Sequence, residues 1–159
     1  MTAERSLTPM SPSGSAASLP PVPATAPTFD ALSVGDAAPP LVIEKLTRTN
    51  FVRYAGASGD FNPIHVDEDF ARNVGLPGRI LHGLWTMAQV ARAHTDAAGG
   101  PERLKRLSVQ FRGMGVMGEE IVVSGTVREV ADGVATVDSQ AEQSGSRLIR
   151  NGVAEIVTS

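Results

Sequence analysis

Two residues with proton-transfer chemistry, Asp60 and His65, are joined by the short link Phe61-Asn62-Pro63-Ile64. Gly59, just before them, lets the backbone bend freely. Asn62-Pro63 sets a turn, because proline fixes its own φ and steers the preceding residue away from helix. A link this stiff aims a carboxylate and an imidazole at one small volume, which is what general acid–base chemistry needs. Each residue alone has a plainer reading, a turn histidine bonded to backbone and an Asx-turn aspartate. Their pairing within Y-A-G-A-S-G-D-F-N-P-I-H, residues 54–65, favours the chemical one.

The flanking pattern predicts the elements that must hold this pair. Ser33-Val-Gly-Asp36 and Pro39-Pro40 predict a turn leading into a first strand, Leu41 to Leu46. Thr47 or Thr49 caps a helix to about Ala57, with Phe51, Tyr54 and Ala55 on one face. Asp67 caps a short helix from Glu68 to Asn73, closed by Gly75. The cluster Asp67, Glu68 and Asp69 beside His65 suggests a metal site, but acidic residues in a first helical turn are the simpler account, and no metal is expected. From His82 to about Ala98, residues Leu84, Trp85, Met87, Ala88, Val90, Ala91 and Ala93 leave almost no polar face, which predicts a buried helix. His94, near its C-terminal end, reads as dipole-favoured and carries no assigned function.

After Gly99-Gly100-Pro101 the period becomes two. Leu107, Val109 and Phe111 alternate with polar residues, and Ile121, Val123 and Val127 repeat the alternation. Asp132-Gly133 is a hairpin signal between this strand and Val134 to Ala141. Ser144-Gly145 offers another turn, into Arg147 to Val157. The order is one strand, helices, one buried helix, then about four antiparallel strands. An antiparallel sheet with one apolar face must cover that face, and wrapping it around the buried helix is the economical solution. The expected class is α+β.

Composition narrows the chemistry. The 159 residues carry a net charge of −3, which gives no support to nucleic-acid binding. Aromatics make up 4%, too few for a base-stacking platform. With no cysteine, disulfides, thiolate metal sites and cysteine nucleophiles are excluded. Residues 1–28 are dominated by Ser, Pro, Ala and Thr and read as a disordered tail, distinct from a folded domain over 29–159. No continuous apolar stretch marks a signal peptide or a membrane span, so the expected compartment is the cytoplasm. Arg112-Gly-Met-Gly-Val-Met117 is not a phosphate loop, because no helix or lysine of that type follows.

The segment S-G-D-F-N-P-I-H at 58–65, followed by L-H-G-L at 81–84, resembles the MaoC-like (R)-specific hydratase/dehydratase family. In particular it looks like stand-alone (3R)-hydroxyacyl-ACP dehydratase subunits of the mycobacterial type. The match spans about Phe29 to Ser159. The resemblance implies a single hot-dog fold, a long central helix wrapped by an antiparallel sheet, which agrees with the element order. It implies reversible syn elimination of water from a 3-hydroxyacyl thioester, with Asp60 and His65 as the dyad. Loss of the C2 proton puts negative charge on the thioester oxygen, and a backbone N–H at a helix start stabilises such an oxygen. Gly83 suits that role, since the absence of a Cβ lets the carbonyl approach the amide. Asn62 is expected to hold the loop or the dyad. His82 either orients the buried helix or meets substrate, and Trp85 is core or lines the acyl pocket.

No cofactor is implied beyond the phosphopantetheine of the substrate's own carrier, coenzyme A or acyl carrier protein. Arg103, Lys105, Arg106 and Arg112, with Arg72 and Arg79, are candidates for a positive rim facing that carrier or for an ordinary solvated face. One hot-dog repeat predicts a homodimer or a heterodimer with a related subunit. A subunit keeping both Asp60 and His65 would be the catalytic member of such a pair. Two alternatives are an accessory subunit that shapes a partner's acyl tunnel and a hot-dog thioesterase.

Overall fold

The computed structural model describes residues 29–158, and the expected tail lies outside them. Its elements run β1 (Ala37–Ile43), α1 (Arg48–Ser58), α2 (Pro63–Val66), α3 (Glu68–Asn73), α4 (Gly83–Ala98), β2 (Leu104–Phe111), β3 (Ile121–Ala131), β4 (Val134–Gln143) and β5 (Ser146–Val157). The strands form one antiparallel sheet in the order β1-β3-β4-β5-β2.

Local chemistry explains the hairpins. Asp132 and Gly133 have φ of 50° and 72°, and Ser144 and Gly145 have φ of 48° and 78°. Two successive left-handed residues make the turn whose twist matches its flanking strands. The inward side of β3 and β4 presents Val123, Val127, Val137 and Ala141, all fully buried, while Ser124, Thr126, Asp138 and Gln140 face outward. Val90, Ala93, Ala97 and Ala98 of α4 pack on the inward side. Each Val or Ile so buried stabilises the fold by about 1.5–3 kcal/mol.

Two expectations need correction. The first strand begins at Ala37, not Leu41, and takes in Pro39 and Pro40. It lies at a sheet edge and its register shifts between Ala38 and Leu41. A proline lacks a ladder donor, and an edge bulge is where that loss is tolerated. The long helix is buried on one side only. Val90, Ala93 and His94 are enclosed, but Leu84 is 64% exposed and Ala88 is also open. A single sheet curves round one flank of a helix and leaves the other flank bare.

Candidate active site

The loop between α1 and α2 is built by short-range polar bonds. Gly59 ends α1 in the left-handed region, with φ of 73°. The Ser58 hydroxyl donates to the Tyr54 carbonyl at 2.8 Å and accepts the Asp60 amide at 3.2 Å. Asp60 Oδ1 accepts the Asn62 amide at 3.2 Å, an Asx turn that leaves Oδ2 free to face elsewhere. Asn62 caps α2 by accepting the Ile64 amide at 3.3 Å, and Pro63 occupies the first helical position. That single turn of helix carries His65 into the protein, where the residue is 7% exposed.

His65 is held in one tautomer. Its Nδ1 lies 2.8 Å from the Ile80 carbonyl, which can only accept, so Nδ1 donates. In the neutral ring the lone pair is then on Nε2, and Nε2 lies 3.8 Å from Asp60 Oδ2. The Asp60 side chain is 49% exposed, so one half of the pair is open to solvent and the other buried. Ile80 is fixed in turn. Its amide donates to the Ile64 carbonyl at 3.1 Å, and it pairs across an isolated bridge with Val116. Gln143, 4% exposed, clamps both sides of Val116, accepting its amide at 2.8 Å and donating to its carbonyl at 3.0 Å. Ile80 and Gln143 escaped the sequence reading. A backbone carbonyl has no side-chain signature, and one glutamine beside a hairpin has no pattern.

His82 and Gly83 arrive from the other side. His82 caps α4 and is 3% exposed. Its Nε2 donates to the Asp60 carbonyl at 3.1 Å. Its ring stacks on His65, with centroids 3.9 Å apart and planes 25° apart, and meets Tyr54 edge-on at 4.8 Å. Burial pushes the His82 pKa below the ordinary histidine value, opposed by the bond to the Asp60 carbonyl and reinforced by repulsion from His65. Among the described residues no side chain caps the α4 N-terminus, and the first amides of a helix have no intrahelical acceptor. A Cβ on Gly83 would sit 3.3 Å from the Phe111 ring, so the glycine permits a close approach of β2. Trp85 is half-buried beside Leu46, Phe51, Tyr54, Leu81 and His82, around a crevice of about 10 Å³. A larger hollow of about 680 Å³ lies on the outward side of the sheet, at Ser124, Thr126, Asp138 and Gln140, not beside the dyad.

Asp60, His65 and His82 together offer three ligand atoms within 4.8 Å of one another. An imidazole binds a metal along a lone pair in its own plane. Rings stacked 3.9 Å apart with planes only 25° apart have no point in both planes at metal–nitrogen bonding distance, so the trio does not suit an ion. The acidic run at α3 is also engaged. Asp67 caps the helix by accepting the Phe70 amide at 2.9 Å. Glu68 takes the Arg79 amide and the side chains of Arg72 and Arg79, which hold its carboxyl below the usual range, the Arg79 amide most strongly. In the expected basic rim, Arg103 pairs with Asp30 and Arg106 with Glu155, so part of its charge is balanced within the chain.

Fold and site together define an α+β hot-dog domain with a carboxylate–imidazole pair beside an uncapped helix N-terminus. Residues 36–146 match the family described as MaoC like domain, and the chain belongs to that family. A MaoC-like dehydratase of known structure superposes with a TM-score of 0.78 at 31% identity, covering 84% of this chain and 43% of that one. The ChsH1–ChsH2 complex from Mycobacterium tuberculosis contains a chain similar at 26% identity and a TM-score of 0.71, covering 80% of this chain and 98% of that one. The fatty acid synthase beta subunit of Aspergillus oryzae is 36% identical over 107 residues, covering 65% of this chain but 5% of its own length. Peroxisomal enoyl-CoA hydratase 2 of Arabidopsis thaliana is 32% identical over 94 residues, 58% of this chain and 30% of the relative. The chain thus spans a small part of the curated relatives it matches. Among the described residues no helix is long and apolar enough to cross a membrane.

Proposed function

We propose that the chain catalyses reversible syn hydration of a trans-2-enoyl thioester to the (3R)-hydroxyacyl thioester, as a hydro-lyase. The observation that carries this reading is the facing of two acceptors, His65 Nε2 and Asp60 Oδ2, at 3.8 Å. Two acceptors at that spacing can each accept one O–H from a single water at about 2.8 Å, the nucleophile of the hydration direction. In dehydration, neutral His65 takes the C2 proton, and the electron pair moves toward the thioester oxygen. The Gly83 amide at the α4 N-terminus receives that oxygen. The enolate then forms the C2=C3 bond, the C3–O bond breaks, and the hydroxyl leaves as water with the proton relayed on the same face. Asp60 holds the departing oxygen, and Asn62 holds the loop. Trp85 lines the acyl end. Only protons and water move, so the reaction requires no cofactor of its own; the phosphopantetheine of coenzyme A or acyl carrier protein belongs to the substrate.

The acyl pocket calls for a second hot-dog subunit. The crevice at Trp85 is too small for an acyl chain. Phe61 and Leu84, next in the chain to Asp60 and Gly83, are 63% and 64% exposed, and Phe111, whose ring packs on Gly83, is 49% exposed. Loss of enoyl absorbance on adding a trans-2-enoyl thioester, on either carrier, tests the reaction. Release of free thiol in step with that loss would instead indicate a thioesterase, since hydration leaves the thioester bond intact. Light scattering on the isolated chain tests the assembly. A dimer supports a homodimeric enzyme, and a monomer that gains activity only with a related subunit supports a heterodimer.

A further inference from the structure

We propose that His82 is a positioning residue that holds both members of the acid–base pair, resting on the hydratase reading above. Its ring touches each of them in a different way. The Nε2–H fixes the Asp60 peptide through its carbonyl at 3.1 Å, which ties to the start of α4 a loop that also bonds to α1 and α2. The ring face lies against His65 at 3.9 Å and sets the plane in which Nε2 points at Asp60. Tyr54 meets His82 edge-on at 4.8 Å and Phe51 lies at 6.4 Å, so the ring is walled in by α1.

The groups facing His82 are the Asp60 carbonyl and carboxylate, the His65 ring and the Tyr54 ring, and it is 3% exposed. That enclosure assigns it to support rather than to substrate contact. It also ends the segment that opens α4, so the amide offered to the thioester oxygen follows directly from the residue that fixes the two proton-handling groups. One imidazole therefore ties three functional parts to a common frame. A burial this complete costs a histidine its hydration, and the two hydrogen-bonded and stacked partners are what offset that cost.

Two substitutions separate the two contacts. His82→Phe keeps an aromatic face for His65 and removes the donor to Asp60. His82→Gln keeps a donor of similar reach and removes the ring. Misplacement of reacting groups by about 1 Å costs roughly 100-fold, so H82F is expected to lower kcat roughly 10- to 100-fold. KM should stay within about twofold, because no substrate contact is lost. H82Q, which loses the ring against His65 but keeps the donor, should also lower kcat, by a smaller factor. Wild-type kcat in either H82F or H82Q would overturn the proposal. Should H82F not fold, H82Q is compared with H82N, whose amide is too short to reach the carbonyl; equal kcat in those two also overturns it. Independently of turnover, the ring nitrogen resonances of His65 should move in H82Q and the Asp60 and Phe61 amide resonances in H82F. Unchanged spectra reject the positioning role even if the wild-type protein hydrates no enoyl thioester, an outcome that would reject the proposed reaction separately.

Discussion

Helix α4 carries a buried histidine at each end, and the two ends behave differently. At the N-terminal end His82 stacks on His65 and bonds to the Asp60 loop, with a half-exposed carboxylate close by. Toward the C-terminal end His94 is 1% exposed, its Nε2 lies 2.6 Å from Ser139 Oγ, and its Nδ1 has no hydrogen-bond partner among the described residues. Phe29 lies edge-on to it at 5.9 Å, and Gly125 leaves room for its ring against the sheet. Burial pushes its pKa down to about 4, so it is neutral at ordinary pH, and the favourable dipole interaction expected for a charged histidine is lost. A buried histidine therefore does not by itself make a site. The N-terminal end adds solvent access, a carboxylate and free helix amides, and only that combination suits proton transfer.

The comparison breaks most visibly in activity. Asp60→Asn keeps the acceptor for the Asn62 amide and removes the charge, while His65→Ala removes the lone pair. Each should reduce enoyl thioester hydration by about 100- to 10,000-fold with the fold intact by circular dichroism. Gly83→Ala should lower kcat by up to about 100-fold, because the new methyl and the Phe111 ring must shift apart. Phe111→Ala on that background should restore part of it, and no recovery would argue against the close-approach account.

At the other end the effect is on stability. The unfolded chain protonates His94 near 6.5, the folded chain near 4, so the unfolded state binds more protons between those values. Stability should fall as pH drops from 6.5 to about 4, by about 3 kcal/mol in all, and stay level in this term above that window. Urea unfolding at several pH values checks this. His94→Leu should flatten that part of the profile and leave turnover unchanged. Smallest is the rim, where Arg103→Glu with Arg106→Glu should raise KM for a carrier-bound substrate only a few-fold, since both arginines already have acidic partners and exposed pairs contribute about 0–1 kcal/mol. An unchanged KM would remove carrier docking from this surface.

Much of this contrast was legible in the chain. The Asp60–His65 link, the Asp67 cap and the Asp132-Gly133 hairpin depend on neighbours within a few positions, so residue type and spacing suffice to read them. Pro39-Pro40 misled, because whether a strand tolerates proline depends on its being an edge. The apolar run of α4 also misled. Hydrophobicity reports that a face is to be covered, not whether this chain's sheet or another subunit covers it.

What residue type settled is the chemistry on offer: a carboxylate, an imidazole, a turn between them and a glycine at the start of a long apolar helix. Tertiary structure decided how those groups are used. The Ile80 carbonyl selects the His65 tautomer, Gln143 steadies Ile80 through Val116, and His82 reaches across from a segment seventeen residues beyond His65 to fix the loop. The same structure turned His94, chemically identical to His82, toward a dry wall of the sheet. Protonation and aim depend on which backbone carbonyls, rings and charges lie within a few ångströms, and those neighbours come from distant parts of the chain.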